Sequence, residues 1–187
     1  MNARSPSEMN REHGVSLLEA LITVFVLAFG ILGLANLHFK LQTVEVETYA
    51  RSQALVLLDD MAARLSANRG AAATYATASP VGAGDTQPTD CSGAAVGVAR
   101  DTCEWSNALK GSSELSGSAT VGAMIGGRGC VETVAGVNPP SYQVVVTWQG
   151  LSPTVAPSGV DCAQSFYSDD RLRRAVVKVV SIASLGP

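Results

Sequence analysis

Apolar residues are spread unevenly along the chain, and their spacing changes character from one end to the other. Residues 15–37 read VSLLEALITVFVLAFGILGLANL, a run of 23 positions with one charge, Glu19. A helix rises 1.5 Å per residue, so this run spans about 35 Å, enough to cross a bilayer core of about 30 Å. Helices buried in soluble domains rarely stay apolar on every side for so long, so the pattern predicts a membrane helix. The residues before it, MNARSPSEMNREHG, are polar, carry Arg4 and Arg11, and end in Gly14. A secretory signal has an apolar stretch of roughly 7–15 residues followed by a small-residue cleavage site. Here the run is longer, no A-x-A follows it, and a glycine marks the polar-to-apolar junction. The two arginines and the amino terminus orient this leader to the cytoplasm.

The helix is expected to continue beyond the membrane. No proline occurs between Pro6 and Pro80, and no glycine between Gly33 and Gly70. Leu41, Val44, Thr48, Arg51, Leu55, Leu58, Ala62 and Leu65 recur in steps of three and four, which defines one expected packing face. Glu45, Glu47, Asp59, Asp60 and Arg64 fall on the other sides and are expected to be solvated. Gly70, after Asn68 and Arg69, fits a left-handed helix stop. The prediction is one helix over about 15–68, roughly 80 Å long, apolar all round in its first half and amphipathic in its second. A long spine bearing a head is the shape implied.

Beyond residue 70 the pattern is that of a folded head. Residues 71–98 are rich in Ala, Gly, Ser and Thr and read as loop. Asp101-Thr-Cys-Glu104 has the spacing of a capping box, with Trp105, Ala108, Leu109 and Leu115 lining one side of a short helix. Tyr142, Val144, Val146 and Trp148 alternate with Gln143, Val145, Thr147 and Gln149, the signature of a half-buried strand. Residues 172–182 (LRRAVVKVVSI) form a second strand, and 129–134 a third. The expected architecture is α+β, with three or four antiparallel strands packed on the amphipathic half of the long helix. The expected organisation is a leader at 1–14, a helix at 15–69 with 15–37 in the membrane, and a head at 70–187.

Composition sharpens this picture. Lys and Arg number 13 against 16 Asp and Glu, a formal net charge of −3, so no basic footprint for nucleic acid is present. The four cysteines, Cys91, Cys103, Cys130 and Cys162, all follow the membrane segment, and an even number in an exported head reads as two disulfides. Tetrahedral zinc usually takes closely spaced C-x₂₋₄-C pairs, and these cysteines are far apart in a head without histidine. Three pairings are possible. Cys91–Cys103 with Cys130–Cys162 is preferred, because it closes a short loop and ties the long 149–171 connection to the sheet. His13 and His38 lie in the leader and at the membrane edge, so no Ser-His-Asp or Cys-His arrangement can be built in the head. A serine–lysine pair with Lys110 or Lys178 remains formally open, although Lys178 lies in an expected strand as a solvent-facing or edge residue. Asp169-Asp170 followed by Arg171, Arg173 and Arg174 reads as a solvated turn leading into a strand. No catalytic activity, metal or cofactor is expected.

Glu19 is the sharpest single feature. A carboxylate near the bilayer centre costs on the order of 2.5–3.5 kcal/mol on insertion scales. One reading lets it reach water near the membrane surface. In the other, cleavage after Gly14 creates an α-amino group at Val15, and the amine of one subunit neutralises Glu19 of a neighbour within a helix bundle.

The string Gly14-Val15-Ser16-Leu17-Leu18-Glu19-Ala20-Leu21-Ile22 resembles the class III signal of type IV prepilins. Its continuation, LLEALITVFVLAFGILGL, is similar to PilV-type minor pilins, also called type IV pilus modification proteins. In the head, CVE, YQVVVTW and RLRRAVVKV resemble the same family more loosely. The resemblance implies a pilin-like fold, cleavage between Gly14 and Val15 by a membrane prepilin peptidase, and methylation of the Val15 amine. It implies a single-pass inner-membrane subunit with a periplasmic head that later enters the filament core. The implied partners are other minor pilins, the major pilin and a tip adhesin. A type II secretion pseudopilin shares the signal and the spine, and an uncleaved membrane-anchored envelope protein is a third reading. Two positions depart from the family pattern: Val15 stands where phenylalanine is usual, and Asn36 where major pilins often carry a kinking proline, leaving Gly30 and Gly33 as the flexible points.

Overall fold

The computed structural model describes residues 16–112, 115–116, 119–120 and 124–183. The chain divides into two units, Met1–Gln42 and Thr43–Pro187. A single helix, α1 (Leu17–Ala67), supplies residues to both and passes through Gly30, Gly33 and Asn36 without a break. The long stretch without proline, and without glycine after Gly33, accounts for that continuity. Gly70 does not end it in a left-handed turn. The chain instead tightens at Asn68 (φ −105°, ψ 46°) into a 3₁₀ segment, Arg69–Tyr75, which carries Ala72 and Tyr75 into the core.

In the second unit a four-stranded antiparallel sheet runs in the order β1 (Val81–Gly82), β4 (Arg128–Val134), β5 (Ser141–Gln149), β6 (Arg173–Ser181). A two-stranded ladder, β2 (Leu115–Ser116) with β3 (Ala119–Thr120), stands apart from it. The fold class is α+β, as the alternating and helical periodicities predict. Helix α2 (Val98–Leu109) begins after Gly97, so Asp101 sits inside the first turn and no capping box forms. Leu115 lies in β2 and not on the helix.

The sheet is covered on both faces. One face packs Val131, Tyr142, Val144, Val146, Trp148 and Val176 against α1 and α2. From α1 come Ala50, Ala54, Leu58, Met61, Ala62 and Leu65; from α2 come Trp105 and Leu109. The packed face of α1 is therefore rotated by about a quarter turn from the expected one. Leu58, Ala62 and Leu65 are buried, but Leu55 is 43% exposed, Leu41 55% and Val44 62%. Size explains the rotation, since Ala50 and Ala54 let the helix approach the sheet closely where bulkier residues would hold it away. Gly129 serves the same closeness on β4: a Cβ there would lie 2.2 Å from the Trp105 ring. The Trp105 indole N–H is satisfied by the Leu57 carbonyl at 2.9 Å.

The opposite face carries Cys130 and Val145 and is covered by the 150–169 connection through Val160, Cys162, Ala163 and Tyr167. Strand β5 is thus buried on both sides, Val145 and Thr147 included, and the half-buried expectation is corrected. Alternation along the strand cannot reveal a loop folding over its second face. Tyr167 occupies the middle of that layer, its hydroxyl 3.1 Å from the Thr147 hydroxyl and donating to the Gly126 carbonyl at 3.0 Å.

Candidate functional site

Residues 16–42 form the described part of the first unit, and every one of them is exposed. Thirteen large apolar side chains from Leu17 to Leu37 are each 51–84% exposed. At about 1.5–3 kcal/mol for fully burying each side chain, scaled by that exposure, roughly 12–25 kcal/mol of burial is available to a bilayer or to neighbouring helices. Within it Phe25 and Phe29 meet edge-to-face at 4.6 Å, and the Thr23 hydroxyl donates to the Ala20 carbonyl at 2.8 Å. That local bond leaves no hydroxyl proton unpaired in lipid. Glu19 lies in the first turn of α1, where the unpaired amides and the helix dipole favour an anion. Gly14 and Val15, the expected cleavage and methylation positions, lie outside the described residues.

The cysteines of the second unit are joined as Cys91–Cys103 and Cys130–Cys162, across 12 and 32 residues. The first bond ties the 82–97 loop to α2. Asn107 on the same helix reinforces it by donating to the carbonyls of Pro88 (2.9 Å) and Thr89 (3.0 Å). Asp85 organises the start of that loop, accepting from Lys110 (2.5 Å), Ser106 (2.6 Å) and the amides of Gly82 (2.8 Å) and Gln87 (3.1 Å). Burial pushes its carboxyl up, but these four donors together outweigh burial and hold it below the usual range. Lys110 is thereby engaged as an ion-pair partner.

Several charged residues expected in solvent are structural ties. Arg64 reaches Asp60 (3.0 Å), Asp101 (3.0 Å) and Glu104 (2.7 Å), and Asp101 also accepts from the Tyr75 hydroxyl. Burial opposes the Arg64 charge, yet these carboxylates hold its guanidinium above the ordinary value. Glu47 pairs with Arg174 at 3.3 Å; Asp59 and Lys178 are solvent-exposed as expected and pair with each other at 2.7 Å. Arg173 is only 1% exposed. It pairs with Asp170 at 2.6 Å and donates to the carbonyls of Val160 (2.7 Å) and Cys162 (3.1 Å). The solvated-turn reading of 169–174 holds for Arg171 and fails for Arg173 and Arg174.

A carboxylate oxygen of Glu132 and the sulfurs of Cys130 and Cys162 lie within 4.8 Å of one another. The sulfurs are bonded to each other, so they are not thiolate ligands for a metal. Spacing in the sequence did not flag this neighbourhood. Cys130 and Glu132 share a strand face two residues apart, but Cys162 arrives only through tertiary folding.

The first unit thus presents an exposed helix long and apolar enough to cross a membrane, with one acidic residue in its first turn, and the second is a disulfide-linked α+β unit. The chain matches the Prokaryotic N-terminal methylation motif over residues 9–35. This motif, the class III prepilin signal, supports a type IV pilin or pseudopilin subunit and points to a structural role rather than catalysis. Neither a search of curated proteins nor one of solved structures finds a match.

Proposed function

We propose that the chain is a minor pilin of PilV type, an assembly-priming structural subunit of a type IV pilus. The observation that carries this reading is the methylation motif over residues 9–35, superimposed on the start of a helix whose apolar side chains are all exposed as far as Leu41 and whose first turn holds Glu19. A prepilin peptidase cuts between Gly14 and Val15 on the cytoplasmic side, and the new Val15 amine is methylated. The helix holds the subunit in the inner membrane with the disulfide-bearing unit in the periplasm. During assembly it exchanges lipid for the helices of other minor pilins and of the major pilin, at the tip or along the shaft, with a tip adhesin as a further partner. The Val15 amine of one subunit then faces the Glu19 carboxylate of the next, removing a desolvation cost that the isolated subunit bears.

Intact mass and amino-terminal sequencing of the protein from its native membrane test this. A start at methylated Val15 is expected, and an intact leader overturns the filament reading. Deletion separates pilus from secretion system: loss of surface pili or twitching supports the proposal, whereas loss of exoprotein release with normal pili assigns the chain to a type II secretion pseudopilus.

A further inference from the structure

Beside the Cys130–Cys162 disulfide lies a cleft of about 170 Å³, walled by the bond itself, Glu132, Asp161, Thr77 and Phe166. The cysteine residues are only 5% and 3% exposed, so this cleft is the approach to their sulfurs. Both acidic residues border it, and among the described residues neither has an ion-pair partner. A Glu132 oxygen stands within 4.8 Å of both sulfurs. Partial burial, and then the charge of Asp161, push the Glu132 carboxyl up from the ordinary glutamate range. Among the described residues no cation pairs with it; Arg128, four residues back on the same strand, lies over the Phe166 ring at 4.6 Å from its centroid. Gln143 is its cross-strand neighbour, the 77–80 segment contributes no titratable group, and Arg173 is occupied by Asp170 and two carbonyls.

Thiol–disulfide exchange proceeds by attack of a thiolate, and the negative charge spreads over three sulfurs as the bond breaks. A fixed carboxylate a few ångströms away opposes that charge. Unit charges about 4 Å apart repel enough to slow an encounter about fivefold in bulk water, and more where water is partly excluded. We propose that the cleft is a charge-selective exchange site for thiols at Cys130–Cys162, with Glu132 as its electrostatic gate. Thiols bearing a cation enter and react; thiols bearing a second anion are held off. In the exchange, the incoming sulfur bonds to one cysteine sulfur and the Cys130–Cys162 bond breaks. The electron pair leaves on the other cysteine, which takes up a proton. A second thiol then resolves the mixed disulfide, leaving two protein thiols and the oxidised form of the reagent.

The test treats the full-length protein with cysteamine, 2-mercaptoethanol or 3-mercaptopropionate near neutral pH, followed by alkylation and peptide mass analysis. Cys91–Cys103 in the same molecule is the reference, which cancels the differing acidity and nucleophilicity of the reagents. The relative rate at Cys130–Cys162 is expected to fall about tenfold from cysteamine to mercaptopropionate. In Glu132→Gln the spread is expected to collapse to about twofold. A neutral phosphine should reduce the bond at the same rate in both proteins, a comparison that a merely structural role of Glu132 would disturb. An equal spread in wild type and variant overturns the proposal, as does no spread in the wild type. If the variant fails to fold, the wild-type protein decides. Its thiolate-corrected rate with mercaptoethanol should be higher on the acid side of the Glu132 titration than above it; a flat profile overturns the gate.

Discussion

Arg173 and Arg174, adjacent in sequence, are tied to opposite layers of the fold. Arg173 points to the loop side of β6, where it holds Asp170 and the carbonyls of Val160 and Cys162. Arg174 points to the helix side and pairs with Glu47 of α1 at 3.3 Å, across 127 residues of chain. Successive strand residues face opposite ways, so two neighbouring cations can fasten two layers to one sheet. Glu47 also accepts from the Leu151 amide at 3.1 Å, so one carboxylate holds both β6 and the loop after β5. Glu47→Ala is therefore expected to cost about 1 kcal/mol in denaturant unfolding. Amide exchange at Leu151 should rise with it.

Arg173→Met should be far more damaging. It leaves two carbonyls without a donor, while Asp170, about a third exposed, can turn to water, a change expected to cost about 2–4 kcal/mol. Limited proteolysis should show cleavage within 150–169 before any other part of the second unit.

Gly129→Ala tests the close approach of β4 and α2. The added Cβ would meet Trp105 at 2.2 Å, and Trp105 is fully buried. A loss of about 2–3 kcal/mol is expected, typical of overpacking against a ring that cannot shift. Gly93→Ala, with open space at that position, should change stability by less than about 0.5 kcal/mol.

Asp85 makes stability depend on acid pH. Its carboxyl is held below the usual range in the folded protein, so its contribution is present above the unfolded value near 3.9 and is lost as pH falls through the folded value. Glu132 has the opposite sign. Its raised carboxyl penalises the folded state at neutral pH, and that penalty disappears below the unfolded glutamate range. Unfolding free energy measured against pH should thus lose part of its acid-side drop in Asp85→Asn, while Glu132→Gln should be more stable than wild type at neutral pH.

Glu19→Ala is expected to leave cleavage and methylation intact while reducing the copies recovered in sheared filaments by about tenfold or more. Losing one partner of a desolvated pair costs several kcal/mol. Quantitative mass spectrometry of membrane and filament fractions reads both quantities, and unchanged recovery would remove the pairing argument.

Much of this molecule could be read from local pattern. The apolar run at 15–37, the breaker-free stretch that follows, and the alternation at 141–149 each report on a few consecutive residues. Helix and strand formation respond to those same neighbours, so α1, β4, β5 and β6 fall close to their expected positions. Errors arose where the deciding partner was distant. Leu55 was expected inside and Ala50 lies there in its place, because the approach distance of the sheet, not residue hydrophobicity alone, selects the packed face. Asp101 was expected to cap a helix that instead begins at Val98, and it binds Arg64 and Tyr75.

By itself, the sequence determined the exposed apolar helix with Glu19 in its first turn, the methylation motif, the α+β class and the number of half-cystines. These are properties of contiguous residues, and periodicity or composition carries them. Tertiary structure decided that β5 is buried on both faces, that Arg173 and Arg174 serve different layers, and that Glu132 stands over the Cys130–Cys162 bond. Each of these joins residues far apart in the chain. Such pairings are chosen by packing and by satisfying buried charge, and neither quantity exists until the chain has folded.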